Sequence, residues 1–260
     1  MNNLINIPMD TSIAAIITAA GSSSRIGVKK EYRLFENEAD KEGKPLSVLG
    51  KAVLPFAECP LIETIVITVP RSQSLGENAA RSSLPAYLFN AHAKPRILFV
   101  PGGSTRCGSV LNALTLLKNI NPRYVLIHDG ARPWIEPALI ERVIDAMFKH
   151  EAVIPAVPLI DTPKEIDENG YIKRHLRRVH VGNAQTPQGF AFSDILYAHE
   201  KAALKEKAGE LYTDDAEVWG EFIGDVFVVP GSPQNKKITF PEDLELLVSD
   251  NDYDENRLGA

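Results

Sequence analysis

Short apolar runs recur along this chain, each followed by a turn of small or polar residues, and most of those turns lead into a stretch with helical spacing. Ile13 to Thr18, Ile65 to Val69, Ile97 to Val100, Val125 to Ile127 and Ala152 to Val157 are rich in β-branched residues. They lack apolar and polar alternation, so they match strands buried on both faces, as in a parallel sheet. Between them, Val110, Leu111, Leu114 and Leu117 repeat at helical spacing. Leu139, Ile140, Val143, Ile144 and Met147 fall on one face of a helix predicted over 137–149. This alternation predicts an α/β fold with an open, mostly parallel, doubly wound sheet. Ligands of such sheets sit beyond the carboxyl ends of the strands, so the turns after Thr18, Val100 and Ile127 should open on one edge.

The pattern is interrupted twice. Residues 33–51 carry Glu36, Glu38, Asp40, Lys41, Glu42 and Lys44, a mixed-charge stretch that predicts an exposed loop. Between Pro158 and Pro187, extended segments flank Asn169-Gly170. An Asn-Gly pair in that setting is a hairpin signal, so a β-arm is predicted at about 158–183. Helical character returns at 194–207 and 214–222, a late strand at 226–229, and Pro241-Glu242-Asp243 opens a last helix. We read 1–250 as one domain and 251–260 as a polar tail.

With 260 residues and 44% hydrophobic content, the chain can bury a large core. Its net charge of −6 argues against nucleic acid or an anionic membrane as a general partner, and any polyanion must be small and locally held. Cys59 and Cys107 form neither a disulfide framework nor a metal cluster, as expected for a reducing cytoplasm. No basic, apolar leader is legible, nor any apolar run near the roughly 18 residues of a membrane span, so a soluble, unexported protein is expected.

The chemistry is expected at the first turn. Ala19-Ala20-Gly21 is followed by Ser22, Ser23 and Ser24 and by the cations Arg25 and Lys30, which can bring backbone N–H groups and positive charge around a phosphate chain. The turn has neither the spacing of a P-loop nor the Gly-x-Gly-x-x-Gly of a dinucleotide fold, which disfavours a nicotinamide enzyme. Taken alone it is equally compatible with an ordinary loop carrying surface cations. The Gly102-Gly103 loop reads locally as a helix cap, and Asp129 as a salt-bridge partner of Arg132 or as a carboxylate for a ribose or a metal.

Seven motifs in order resemble the 2-C-methyl-D-erythritol 4-phosphate cytidylyltransferase family. They are Ala19-Ala20-Gly21 with Arg25 and Lys30-Glu31-Tyr32; Gly102 to Arg106 with Ser109-Val110; His128 to Pro133; Asp161-Thr162-Pro163-Lys164; Gln185-Thr186-Pro187-Gln188; Tyr212-Thr213-Asp214-Asp215; and Asn235 to Thr239 with Pro241-Glu242-Asp243. The resemblance covers residues 12 to 248. It implies a Rossmann-like nucleotidyltransferase fold, with CTP as co-substrate, Mg2+ or another divalent cation as cofactor, and a sugar-alcohol phosphate as acceptor. It further implies that Arg25 and Lys30 stabilise charge on the α-phosphate and leaving pyrophosphate, and that Arg178 and Lys237 position the acceptor. Ala19, Ala20, Gly21, Gly102, Gly103, Ser109, Asp129 and Ala131 would hold the nucleotide, Asp129 also the metal. Arg132, Thr162, Thr186 and Thr213 would line the acceptor site. In the family the arm exchanges between two subunits, which implies a homodimer whose Thr162 and Arg178 serve the partner's site. Lys29 and Glu31 stand where the family usually has proline and glutamine; spacing from Arg25 and the following Tyr32 selects Lys30, while Thr239 and Pro241 select Lys237 over Lys236. The ribitol 5-phosphate cytidylyltransferases share much of this motif set and form the nearest alternative, with a non-catalytic nucleotide-binding module as another. His128 reads as a strand-end residue, because the implied chemistry asks for no general base.

Overall fold

In the computed structural model, residues 12–21, 26–72, 74–90 and 93–247 are described; Ser22 to Arg25 and the polar tail expected at 251–260 lie outside them. The elements in order are β1 (Ile13–Thr18), β2 (Leu34–Ala39), β3 (Pro45–Ser47), α1 (Val48–Ala57), β4 (Ile62–Val69), α2 (Glu77–Ser82), β5 (Arg96–Pro101), α3 (Arg106–Leu117), β6 (Tyr124–Asp129), α4 (Pro137–Met147), β7 (Ala152–Pro158), β8 (Lys164–Ile166), β9 (Ile172–His175), β10 (Gly182–Ala184), β11 (Gln188–Ala191), α5 (Phe192–Glu206), α6 (Asp215–Phe222) and β12 (Phe227–Pro230).

Eight strands form the central sheet in the order β10-β7-β11-β6-β1-β4-β5, with β12 on β7. β6, β1, β4 and β5 are mutually parallel. Successive side chains of β1 point to opposite faces, so both of its faces enter cores. Ile13, Ala15 and Ile17 pack with Leu49, Val53 and Phe56 of α1 and with the apolar face of α4. Ala14 and Ile16 pack on the other side with Val110, Leu114 and Leu117 of α3, Ile195 of α5 and Trp219 of α6. Each such buried isoleucine or leucine contributes about 1.5 to 3 kcal/mol of apolar burial, which is why the runs hold together as the centre of the sheet.

The sheet is more mixed than the apolar runs suggest. β11 enters antiparallel between β6 and β7, and β10 also pairs antiparallel with β7. Both lie within or beside the segment read as an arm, where Gly182 and Gly189 break any strand-like apolar run. The hairpin itself is β8 with β9, closed where Asp167 Oδ1 accepts from Asn169 N at 3.0 Å and Tyr171 N at 2.9 Å, with Gly170 at φ +88°.

The charged stretch after Arg33 is not a plain loop. It forms the β2–β3 hairpin, in which Phe35 turns inward against Val48 and Ile238 while its charged neighbours face outward. Asp40 Oδ1 accepts from the N–H groups of Glu42 and Lys44 to make the turn, with Gly43 at φ +79°. A single inward aromatic is too little periodicity to read as a strand beforehand. Ser47 Oγ then accepts from Gly50 N at 2.8 Å and starts α1 at Val48, inside the stretch expected as a loop. The last helical segment, Pro241–Leu247, is 3-10.

Candidate active site

A cleft of about 480 Å3 opens at the carboxyl ends of the parallel strands. Strand register sets its floor: Thr18 pairs with Thr68 on one side and with Asp129 on the other. The turns that follow these residues therefore rise around a single space.

The first wall is the turn after β1. Ala20 and Gly21 line the cleft, whereas Ala19 is buried beneath them. Ala19 N donates to the carbonyl of Thr68 at 3.2 Å and to its Oγ1 at 3.1 Å. Among the described residues, a Cβ at Gly21 would meet no atom within 4 Å. The two neighbouring lysines diverge because they enter a tight 3-10 turn, Lys30–Tyr32. Lys29 Nζ turns inward, donating to Ala19 O at 2.5 Å and Gly21 O at 2.7 Å, and pairs with Glu31 at 2.9 Å. Lys30 lines the cleft and donates to Ile238 O at 2.6 Å. Lys29 thus braces the turn and Lys30 faces the cleft.

The second wall is the loop into α3. A Cβ on Gly102 would collide with that of Ala20, and one on Gly103 would lie 2.6 Å from the Gly108 carbonyl carbon, so this close approach requires glycine at both positions. Gly102 N donates to Val69 O and its carbonyl accepts from Arg71 Nε, so its polar groups are used within the protein. Ser109 lines the cleft, yet its hydroxyl accepts from Gly103 N at 3.0 Å and donates to Thr105 O at 2.8 Å. In this state it shapes the loop. Thr105 Oγ1 accepts from Gly108 N at 2.8 Å and caps α3, which places Arg106 at the first helical position, facing the cleft.

The third wall carries the charge. Asp129 meets Lys237 Nζ at 2.8 Å, Arg106 Nε at 3.4 Å and Arg132 Nε at 3.6 Å. Burial alone would raise its pKa, but these three cations hold it well below the usual carboxylate range. Arg132 is further fixed by donating from Nη1 to Asn235 O at 2.8 Å. Ala131 lines the cleft, and its carbonyl accepts from Ile238 N at 2.9 Å, which ties the Lys237 segment to the end of β6.

His128 lies below this wall and is fully buried. Its Nε2 faces the carbonyl of Arg132 at 3.3 Å and its Nδ1 the hydroxyl of Thr186 at 2.9 Å. Because a carbonyl only accepts, Nε2 carries the proton; Thr186 donates to Nδ1 and accepts from Asp129 N at 3.1 Å. Burial lowers the His128 pKa to about 4. A histidine kept neutral in the folded state contributes stability above its unfolded pKa of about 6.5 that is lost as pH falls toward the folded value. We expect about 3 kcal/mol of stability to disappear between about pH 6.5 and 4. Urea unfolding across that range measures it, and His128→Gln should flatten the slope.

The remaining expected site residues lie elsewhere. Thr186 is the buried link just described. Thr162 is exposed within the segment read as the arm, and Arg178 is exposed with Nη1 donating to Ile160 O at 3.1 Å. Thr213 stands before α6, donating from N and Oγ1 to Glu217 Oε2 at 2.8 Å each. None of the three lines this chain's cleft. Arg25 lies outside the described residues. Sequence reasoning passed over Arg106, Thr18, Thr68 and the bracing role of Lys29. Arg106 stood inside a quoted motif, but nothing local signals that a helix's first residue faces a carboxylate on another strand.

A family model described as "IspD: 2-C-methyl-D-erythritol 4-phosphate cytidylyltransferase" matches residues 13–248. The chain belongs to that family. Among curated relatives of the IspD family, the bifunctional enzyme IspD/IspF of Bartonella tribocorum is 38% identical over 242 residues, 91% of this chain and 56% of the relative. The corresponding Bartonella henselae protein is 37% identical over 238 residues, 90% of this chain and 55% of that protein. The chain therefore spans about half the length of these relatives. The solved 4-diphosphocytidyl-2C-methyl-D-erythritol synthase of Anaerococcus prevotii superposes with a TM-score of 0.73 at 30% identity, covering 92% of this chain and 95% of that one. The Francisella tularensis IspD structure gives 0.70 at 27% identity, covering 91% and 98%. Lys29 and Glu31, which flank Lys30, form an ion pair with each other. Among the described residues, no helix is long and apolar enough to cross a membrane.

Proposed function

We propose that this chain transfers the cytidylyl group of CTP to 2-C-methyl-D-erythritol 4-phosphate, giving 4-diphosphocytidyl-2-C-methyl-D-erythritol and pyrophosphate for isoprenoid precursor synthesis. The observation that carries this is the charge arrangement: Lys30, Arg106 and Lys237 face one cleft around Asp129, with Arg132 beside it. An acceptor phosphate oxygen attacks the α-phosphorus and the bond to the bridging oxygen of the β-phosphate breaks, so the protein need supply alignment and neutralisation and no covalent nucleophile. Lys30 sits at the phosphate turn, where it can follow charge onto the leaving pyrophosphate, with Arg25 assigned the same duty. Lys237 holds the acceptor in line. His128 takes no part, since both its nitrogens are engaged below the cleft.

The donor set fits a hard divalent cation held mainly by substrate. Among the described residues no group of three or more His, Cys, Asp or Glu side chains could cage a metal. Mg2+ is commonly bound through one or two carboxylates plus phosphates. Asp129 would hold it, and the bound ion would supply further neutralisation of the triphosphate. The nucleotide contacts are assigned to Ala20, Gly21, Gly103, Ser109 and Ala131, with Ala19 and Gly102 supporting those turns from behind, and the acceptor contacts to Arg132, Thr162 and Thr213, with Thr186 buried beneath as a support.

The test is pyrophosphate release from CTP with Mg2+. It should require methylerythritol phosphate; preference for ribitol 5-phosphate, or no release with either acceptor, overturns this reading.

A homodimer completed through the arm belongs to the same proposal. Ile160 is 89% exposed, Val179 80% and Tyr171 73%, apolar surface of the kind a second subunit covers. Chains carrying Arg178→Ala and Lys237→Ala should each be nearly inactive alone. Mixed after co-refolding, they should recover roughly a quarter of wild-type turnover, because a two-fold dimer of the two leaves one shared site intact. No recovery on mixing argues for a site built within one chain. We place the enzyme in the cytoplasm, in keeping with two free cysteines, one of them buried.

A further inference from the structure

A chain of buried polar groups runs from the helical layer to the cleft. Arg106 donates from Nη2 to Asp215 Oδ2 at 2.8 Å, and the other oxygen of Asp215 meets His199 Nε2 at 3.1 Å. His199 Nδ1 in turn lies 3.3 Å from Cys107 Sγ. The side chains of Asp215 and His199 are fully buried, whereas that of Arg106 is 24% exposed and reaches the cleft. With a carboxylate at Nε2, His199 carries its proton there, and the thiol can donate to Nδ1. Burial pushes the Cys107 pKa up to about 12, so the thiol keeps its proton and the grouping is no nucleophilic triad. Asp215 opens α6, where the helix N-terminus favours a carboxylate.

The geometry matters at the far end. Arg106 is held tightly on Asp215 and only at 3.4 Å on Asp129. No hydrogen bond of its Nη1 exists among the described residues. A guanidinium fork fixed on one side by a buried carboxylate presents its remaining N–H groups to the cleft in one orientation. We propose that Asp215 and His199 are positioning residues for the nucleotide site, acting through Arg106, which aligns Asp129 and offers Nη1 to the anionic ligand. The inference rests on the function proposed above for the same cleft.

The test compares His199→Leu with His199→Gln in the full chain, each also placed in an Arg106→Lys background. Thermal unfolding and circular dichroism monitor the fold, while turnover and calorimetric binding of CTP with Mg2+ are measured in parallel. His199→Leu removes the donor to Asp215 and should lower kcat/KM for CTP about tenfold, mainly through KM. His199→Gln can still reach Asp215 with an N–H and should stay within about threefold of wild type. In the Arg106→Lys background the cost of His199→Leu should shrink below about twofold, since its route is already cut. Equal losses for Leu and Gln, or an undiminished loss in that background, overturn the proposal and leave His199 a packing residue. If His199→Leu does not fold, Asp215→Asn is read by the same cycle against Arg106→Lys, with the same two outcomes. A wild-type chain that binds CTP but turns over neither acceptor overturns the proposed acceptor, and the coupling is then read in CTP affinity. A wild-type chain that binds no CTP overturns both.

Discussion

Replacing Lys30 with methionine should lower kcat for the proposed transfer by about a hundred- to a thousandfold, the usual cost of removing one preorganised group that meets developing charge. Lys30 reaches the cleft from a 3-10 turn, its Nζ 2.6 Å from Ile238 O. Methionine retains length and apolar stem and loses only the charge, so the fold should survive. Lys29→Met makes the informative contrast. Lys29 does not line the cleft and holds the carbonyls of Ala19 and Gly21, so its loss should loosen the turn and act on KM for CTP more than on kcat. Steady-state kinetics on the two variants separate the roles. A collapse of kcat in Lys29→Met with near-normal Lys30→Met would mean that the two side chains exchange places when the nucleotide binds.

The second large effect is expected at Asp129. Three cations converge on its carboxylate, and Asp129→Asn would leave Arg106, Arg132 and Lys237 facing one another without their common counter-ion. Removing one partner of a buried ion pair costs about 3 kcal/mol or more, and the variant should unfold at correspondingly lower denaturant while losing the proposed metal and nucleotide contacts. The sign with pH follows from the depressed carboxylate. Its contribution is present above the unfolded carboxylate pKa of about 3.9 and disappears as pH falls below it toward the folded value. This acid loss therefore lies below the one expected from His128. Denaturant midpoints from pH 7 to 3 should show wild type and Asp129→Asn converging at the acid end. Parallel curves throughout would count against the ion cluster as a source of stability.

Much of the scaffold was legible beforehand because the signals are local. A β-branched run without polar alternation must be buried on both faces, and Ile13–Thr18 is the middle of the sheet for that reason. Asn169-Gly170 marked its hairpin because φ above zero is cheap for glycine. What escaped had weak or non-local signals. Phe35 alone could not announce β2, and Gln188–Ala191 shows too short and glycine-broken a pattern to predict a strand between β6 and β7.

The same division holds for the site. From the sequence alone came the parallel strands β1, β4, β5 and β6 with the turns that follow them, and the edge on which the cleft opens. Resemblance added the family and the expected duties of the site residues. Lys30 was selected over Lys29 beforehand, and tertiary structure supplied the reason: the carbonyls of Ala19 and Gly21 lie beside Lys29 and hold it out of the cleft. It also decided that Arg106 joins Asp129 to Asp215, and that Lys237 arrives at the end of β6 through the bond between Ile238 and Ala131. The opening turn follows from residues next to one another in the chain. The charge balance that makes it a site depends on distances between residues far apart in sequence, which only the packed sheet brings within a few ångströms.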